Sequence, residues 1–180
     1  MRVIAGSAGG LTLVAPRDRA TRPIADRVKE TLFGILGERV PDARVLDLYA
    51  GSGAIGIEAL SRGAAHATFV ERGREALAAL RTNLEHTRLT AVASVVATDV
   101  ERFLEASHDE PWDLVVLDPP YAERAIVAPL LSLRRHLAPG AVLVLKHHWR
   151  SSPPPIDGLL TTRERRFGET TLTFMEATGE

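Results

Sequence analysis

The sequence predicts a doubly wound α/β sheet, and three observations carry that expectation. From residue 41 onward, short β-rich runs alternate with longer stretches of helical period. A glycine-rich turn at Gly51, Gly53 and Gly56 joins the first of these strands to the first of these helices. Two more strand-like runs end the chain, parted only by Phe167, Gly168 and Glu169; they predict an antiparallel hairpin that brings a mostly parallel sheet to seven strands.

Each element has its own justification. The runs Val45–Tyr49, Ala67–Glu71, Ala93–Thr98, Leu114–Asp118 and Ala141–Leu145 are apolar or β-branched and read as the parallel core. Between them, helices are expected over Ala54–Arg62, Glu75–Thr87, Val100–Ala106 and Val127–Leu137, with Leu77, Leu80 and Leu84 on one face of the second. Pro139 and Gly140 mark the turn into the fifth strand, and Leu159–Arg166 and Thr170–Glu176 form the hairpin. Pro153–Pro155 reads as a stiff surface linker before that hairpin. Residues 1–40 form a separate extension: a small hairpin of Arg2–Ile4 and Leu11–Val14 around Gly6, Gly9 and Gly10, then a helix from Ile24 or Ala25 to Leu36. That helix is expected to bury Val28, Leu32 and Ile35 or Leu36 and to expose Asp26, Arg27, Lys29 and Glu30. The division is thus an extension over 1–40 and a main domain over 41–180.

Composition narrows the classes. With 180 residues, 45% of them hydrophobic, the chain suits one compact domain with a short appendage. The absence of cysteine excludes disulfides, thiolate metal sites and thiol redox chemistry. No stretch reaches the roughly 20 apolar residues of a spanning helix, so a soluble, cytoplasmic protein without membrane partners is expected. A net charge of -1 excludes a wholly basic nucleic-acid binder, yet the charge is uneven. Arg2, Arg17, Arg19, Arg22, Arg27 and Lys29 face only Asp18 and Asp26 near the start, and no acid occurs from Arg124 through Ile156, where Arg134, Arg135, Lys146 and Arg150 lie. If these segments share a face, they form a phosphate-binding surface; otherwise they are ordinary solvated faces.

The turn Asp47-Leu48-Tyr49-Ala50-Gly51-Ser52-Gly53 sits where a nucleotide cofactor binds in such sheets. Gly51 and Gly53 let the backbone approach a ligand, and the helix start offers free N–H groups. Glu71, ending the second strand, can accept from two ribose hydroxyls, and Asp99, after the third, can hold an adenine amino group. The spacing also fits the dinucleotide pattern GxGxxG, so the loop alone is ambiguous. Two features favour S-adenosylmethionine: Asp47 can bind a cationic amino group, and a dehydrogenase has no use for Asp118-Pro119-Pro120-Tyr121 after the fourth strand. There, hydrogen bonds from an exocyclic NH2 to the Asp118 carboxylate and the Pro119 carbonyl would aim the nitrogen lone pair, and Tyr121 would stack on the base. The alternative is that the proline pair simply ends a strand. His147 and His148 point to opposite faces and would not chelate one metal; they read as a solvated strand end. Trp112 and Trp149 read as partial core.

At these residues the chain resembles the RsmD-type methyltransferases, which act on the exocyclic N2 of a guanine in small-subunit (16S) ribosomal RNA. The resemblance runs through Thr21-Arg22-Pro23, Asp26 to Phe33, Asp47 to Ser61 and Asp118 to Tyr121. It implies a Rossmann-like class I methyltransferase and S-adenosylmethionine held by Asp47, Tyr49, Ala50, Gly51, Ser52, Gly53, Glu71, Asp99 and Asp118. It further implies catalysis at Asp118, Pro119, Pro120 and Tyr121, with rRNA gripped by Arg22, Pro23, Asp26, Arg27 and Lys29. The expected partner is 16S rRNA in a small-subunit particle or assembly intermediate, met by a monomer. The chain departs from the pattern at Ile24 and Ala25, where relatives commonly carry threonines, and at Lys146-His147-His148, a segment often acidic at its first position. Methylation of adenine N6 in DNA or RNA is the alternative with the same chemistry. A protein glutamine acceptor, a NAD-dependent oxidoreductase and a non-catalytic RNA-binding module each leave part of the pattern unused.

Overall fold

The computed structural model describes residues 1–16, 25–106, 111–119 and 127–178. Its elements are α1 (Asp26–Leu36), β1 (Arg44–Leu48), α2 (Ala54–Ser61), β2 (His66–Glu71), α3 (Arg74–Thr87), β3 (Ala93–Ala97), α4 (Val100–Glu105), β4 (Trp112–Leu117), α5 (Val127–Leu133), β5 (Leu137–His148), β6 (Leu159–Phe167) and β7 (Thr170–Ala177). One sheet has the order β3-β2-β1-β4-β5-β7-β6. The first five strands pair in parallel, and β7 joins β5 and β6 antiparallel.

The central strands are apolar on both faces because helices cover both. Successive side chains alternate between two core layers. Val45, Phe69, Leu114, Val116, Val142 and Val144 join the layer that holds residues of α1, α2 and α3. Leu46, Leu48, Val70, Val115, Leu117, Leu143 and Leu145 join the layer that holds residues of α4 and α5. Leu77, Leu80 and Leu84 are all buried, as the helical period predicts for α3.

Three expectations change. The helix expected to reach Leu137 stops at Leu133, a 3-10 turn covers Arg134–His136, and β5 starts at Leu137. Pro139 and Gly140 lie inside that strand, where the register against β4 jumps from Trp112–Leu137 to Leu114–Val142. Proline has no N–H for the ladder and Gly140 has a φ of 74°, so the pair fits an irregularity in the pairing. The N-terminal hairpin reduces to the single bridge Arg2–Thr12. Its ladder stops there because the Ile4 and Ala5 amides donate to Glu58 at 2.7 and 3.1 Å.

Lys29 is the third. It is fully buried and donates to Glu58 Oε2 at 3.1 Å and to the Arg2 carbonyl. Arg62 Nε reaches Glu58 Oε1 at 2.8 Å. Ser61 binds the Ala8 amide at 2.9 Å and the Ala5 carbonyl at 2.5 Å. Glu58 and Ser61 of α2 therefore fasten the first residues to the main sheet, and Val3, Ala8, Leu13, Val28, Leu32 and Leu36 share its α2-side core layer.

Candidate functional site

Strand order reverses between β1 and β4, and at such a point the loops leaving the strands open a crevice beyond their carboxyl ends. The register sets Leu48 beside both Val70 and Leu117. Side-chain parity then sends Asp47 and Glu71 to the face of Val45 and Phe69, and Asp118 and Lys146 to the face of Val116 and Val144, which is the same face. Acids from four positions in sequence thus gather at one end of the sheet: Asp47, Glu71, Asp118 and, past β3, Asp99.

Local geometry explains each placement. The chain leaves β1 through Tyr49, Gly51 and Gly53, with φ of 60°, 57° and 80°. A left-handed tyrosine is costly, of order 1–2 kcal/mol, and such strain concentrates at functional turns. The glycines differ in what they avoid. A Cβ on Gly51 would meet nothing within 4 Å, whereas one on Gly53 would strike Leu80 Cδ1 at 2.3 Å. The space beside Gly51 is therefore open, while Gly53 is needed for close packing of the turn on the core. Gly56 fills a third requirement, since a side chain there would strike the Phe69 ring. Its amide donates to Asp47 Oδ2 at 2.9 Å.

Asp47 is almost wholly buried, and that burial pushes its carboxyl up to about 8, against the pull of the Gly56 amide. A cation brought to it would restore the charged form. Glu71 is held by three backbone donors: Gly51 N at 2.9 Å on Oε2, with Arg72 N at 2.8 Å and Gly73 N at 2.7 Å on Oε1. A carboxylate with about four acceptor positions can take those donors and still receive a hydroxyl. Asp99 caps α4, accepting from Arg102 N at 2.8 Å. Asn83, which the sequence reading passed over, donates to the Ser52 carbonyl at 2.9 Å and pairs with both backbone groups of Val14. It ties the glycine turn to the segment that leads towards Arg22. The donor set suits a ligand that brings a cation to Asp47 and a hydroxyl to Glu71.

Asp118 and Pro119 follow β4 directly; Pro120 and Tyr121 lie outside the described residues, as do Arg22 and Pro23. Lys146 of β5 places Nζ 2.7 Å from each Asp118 oxygen. Burial holds the Asp118 carboxyl above the ordinary carboxylate range, and the Lys146 ammonium offsets part of that rise. Sequence pattern missed this pair because partnership depends on strand order: β5 is next to β4, and Leu145 faces Leu117.

The remaining candidates scatter. Arg27 is exposed on α1, and Asp26 pairs with Arg2 at 3.2 Å. Lys29, inside the protein, presents no charge to a partner. The basic stretch of the second half divides between the two ends of β5, with Arg134 and Arg135 before its start and Lys146 and Arg150 at its finish. His147 is buried, not solvated, with Nε2 2.8 Å from Thr173 Oγ1. Trp112 is core, beside Phe103 and His136. Trp149 is half-buried, with the Arg150 and Arg166 guanidiniums 4.7 and 4.1 Å from its ring centre. Among the described residues, no cluster of three or more His, Asp or Glu could hold a metal, and no helix is long and apolar enough to cross a membrane.

A parallel five-stranded core closed by an antiparallel β7, with a glycine turn and acids at the carboxyl ends of β1, β2 and β4, defines a class I methyltransferase. The chain belongs to the family described as "Conserved hypothetical protein 95", whose model matches residues 1–176. It is 38% identical over 175 residues to YlbH of Bacillus subtilis (strain 168), covering 94% of this chain and 95% of that protein. Against the Haemophilus influenzae protein named "Ribosomal RNA small subunit methyltransferase D" it is 37% identical over 152 residues, covering 81% and 78% of the two chains. The solved structure of yhhF from Escherichia coli superimposes with a TM-score of 0.88 at 33% identity, covering 100% of this chain and 99% of that one.

Proposed function

We propose that this protein transfers a methyl group from S-adenosylmethionine to small-subunit ribosomal RNA in the cytoplasm, and that the acceptor is the exocyclic N2 of a guanine. The observation that supports the reading best is the meeting of the glycine turn, Asp47 and Asp118 on one face where the strand order reverses. The relative named for small-subunit rRNA methylation supplies the substrate class.

In this reading Asp47 holds the cofactor's cationic amine, Gly51 and Ser52 line its approach, Tyr49 and Ala50 shape the turn, Glu71 takes a ribose hydroxyl in its remaining acceptor position and Asp99 the adenine. When bound, the cofactor supplies an electrophilic methyl group on a sulfonium. Asp118 and the Pro119 carbonyl orient the acceptor NH2, whose lone pair is otherwise delocalised into the purine, and Asp118 as a carboxylate can take the proton that the alkylated nitrogen sheds. Pro120 and Tyr121 complete the seat for the base. Reaching a base requires it to be unpaired or turned out of its stack. Residues 1–40 act as an RNA-binding extension through Arg22, Pro23, Asp26 and Arg27.

Transfer of labelled methyl groups to small subunits lacking this modification, followed by nucleoside digestion and mass spectrometry, tests the proposal. Label in N2-methylguanosine is expected. Label in N6-methyladenosine would keep the chemistry and replace the acceptor.

A further inference from the structure

We propose that Lys146 is a positioning residue for methyl transfer: its ammonium grips both Asp118 oxygens, fixes the orientation and charge of that carboxylate, and yields one oxygen to the acceptor amino group. The inference rests on the function proposed above and deepens it.

Geometry carries the case. Both contacts are 2.7 Å, at the short end for a charge-assisted N–H···O bond, and one Nζ makes both. Lys146 lies on β5 and Asp118 directly follows the adjacent β4, each one residue beyond the Leu117–Leu145 pair, on the face that also bears Asp47. An amino donor hydrogen-bonded to a carboxylate is the relation that the acceptor NH2 needs, so the lysine already occupies the acceptor's kind of partner. The pair also remains partly accessible, at 11% for the lysine side chain and 26% for the aspartate, which permits exchange of one oxygen.

The electrostatics agree. Among the described residues, the charged groups facing Asp118 are Asp47 from β1 and Lys146 from β5, with Glu71 from β2 acting on Asp47. Burial works against an ionised Asp118, and Lys146 is the cation that offsets it. Without that cation Asp118 takes a proton more readily, and a protonated carboxyl offers an O–H where an acceptor is required.

The test is the pH dependence of single-turnover methyl transfer at saturating cofactor, where the titration of Asp47 drops out. Lys146→Met should move the acidic limb of the profile upward by about one pH unit or more. Its rate should fall by about tenfold for each pH unit the limb moves, at pH values below the limb, and recover most of the deficit at pH values above it. Cofactor affinity by calorimetry should stay within about twofold, and Lys146→Arg, which keeps the charge, should retain the wild-type limb. If Lys146→Met does not fold, Lys146→Gln serves for the same profile. A wild-type limb and rate in the uncharged variant would overturn the role of the lysine. Asp118→Asn, run in parallel, separates the two ideas: full turnover there removes the site itself, whereas lost turnover there with a wild-type profile in Lys146→Met removes only the lysine.

Discussion

Two lysine–carboxylate pairs lie among the described residues, and they differ in everything except chemistry. Lys29 and Glu58 have no exposed side-chain surface, and Glu58 also receives the Ile4 and Ala5 amides and the Arg62 guanidinium. Lys146 and Asp118 sit at the lip of a crevice, partly accessible, with both carboxylate oxygens on one ammonium. The first pair is saturated and fastens the first residues to α2. The second leaves both of its partners partly open to solvent. The two pairs thus differ in how completely their partners are committed, which burial and donor identity make visible.

The contrast can be broken most forcefully at Glu58. Glu58→Ala would strand the Lys29 ammonium in the core and should lower stability by about 3–5 kcal/mol, read from urea unfolding. A loss under about 1 kcal/mol would show that this pair is no more committed than the other. Asp118→Ala should cut methyl transfer by about 100- to 1,000-fold while stability and cofactor affinity change little. Wild-type turnover in that variant would move the reacting site elsewhere.

Asp47 sharpens the comparison, being a buried carboxyl without a lysine. Its folded pKa is raised to about 8 from an ordinary 3.8, so its contribution to stability is fully present below the lower value. That contribution is lost as pH rises through the window from about 4 to about 8. Wild type should therefore lose stability relative to Asp47→Asn across that window. Binding of a cationic ligand near neutral pH should release up to about one proton, measurable by calorimetry in buffers of different ionisation enthalpy. No proton release would separate Asp47 from the cofactor's amine. The smallest effect is expected at the surface: Arg27→Ala should reduce the salt slope of RNA binding by about 0.7 to 0.9. An unchanged slope would take α1 out of the RNA interface.

Much of this was legible in the sequence because apolar β-branched runs and leucines at helical spacing depend on local pattern alone. The strands from Leu114 and Ala141 and the buried face of α3 emerged that way. Lys29 did not, because its charge assigned it to the surface, although Lys29, Phe33 and Leu36 share the spacing of one helix face and all three are buried. Lys146 could not be matched to Asp118 without the strand order, since 28 residues separate them. Pro139 and Gly140 looked like a turn because their chemistry suits a turn and an irregular strand equally. The split of the basic residues between the two ends of β5 is likewise invisible to a charge count.

The strand order has one more consequence, for the time at which the protein can come into being. Val45 lies against Leu114, so β1 has its neighbour on one side only until the chain is synthesised past that point. Until then the edge of β1 is open to pairing with whatever strand is nearby. Closing so long a loop is slow compared with helix formation. Because Asp118 follows β4 directly, it reaches its place beside β1 in the same step that seals the middle of the sheet, and a half-made chain leaving the ribosome holds the glycine turn without that carboxylate.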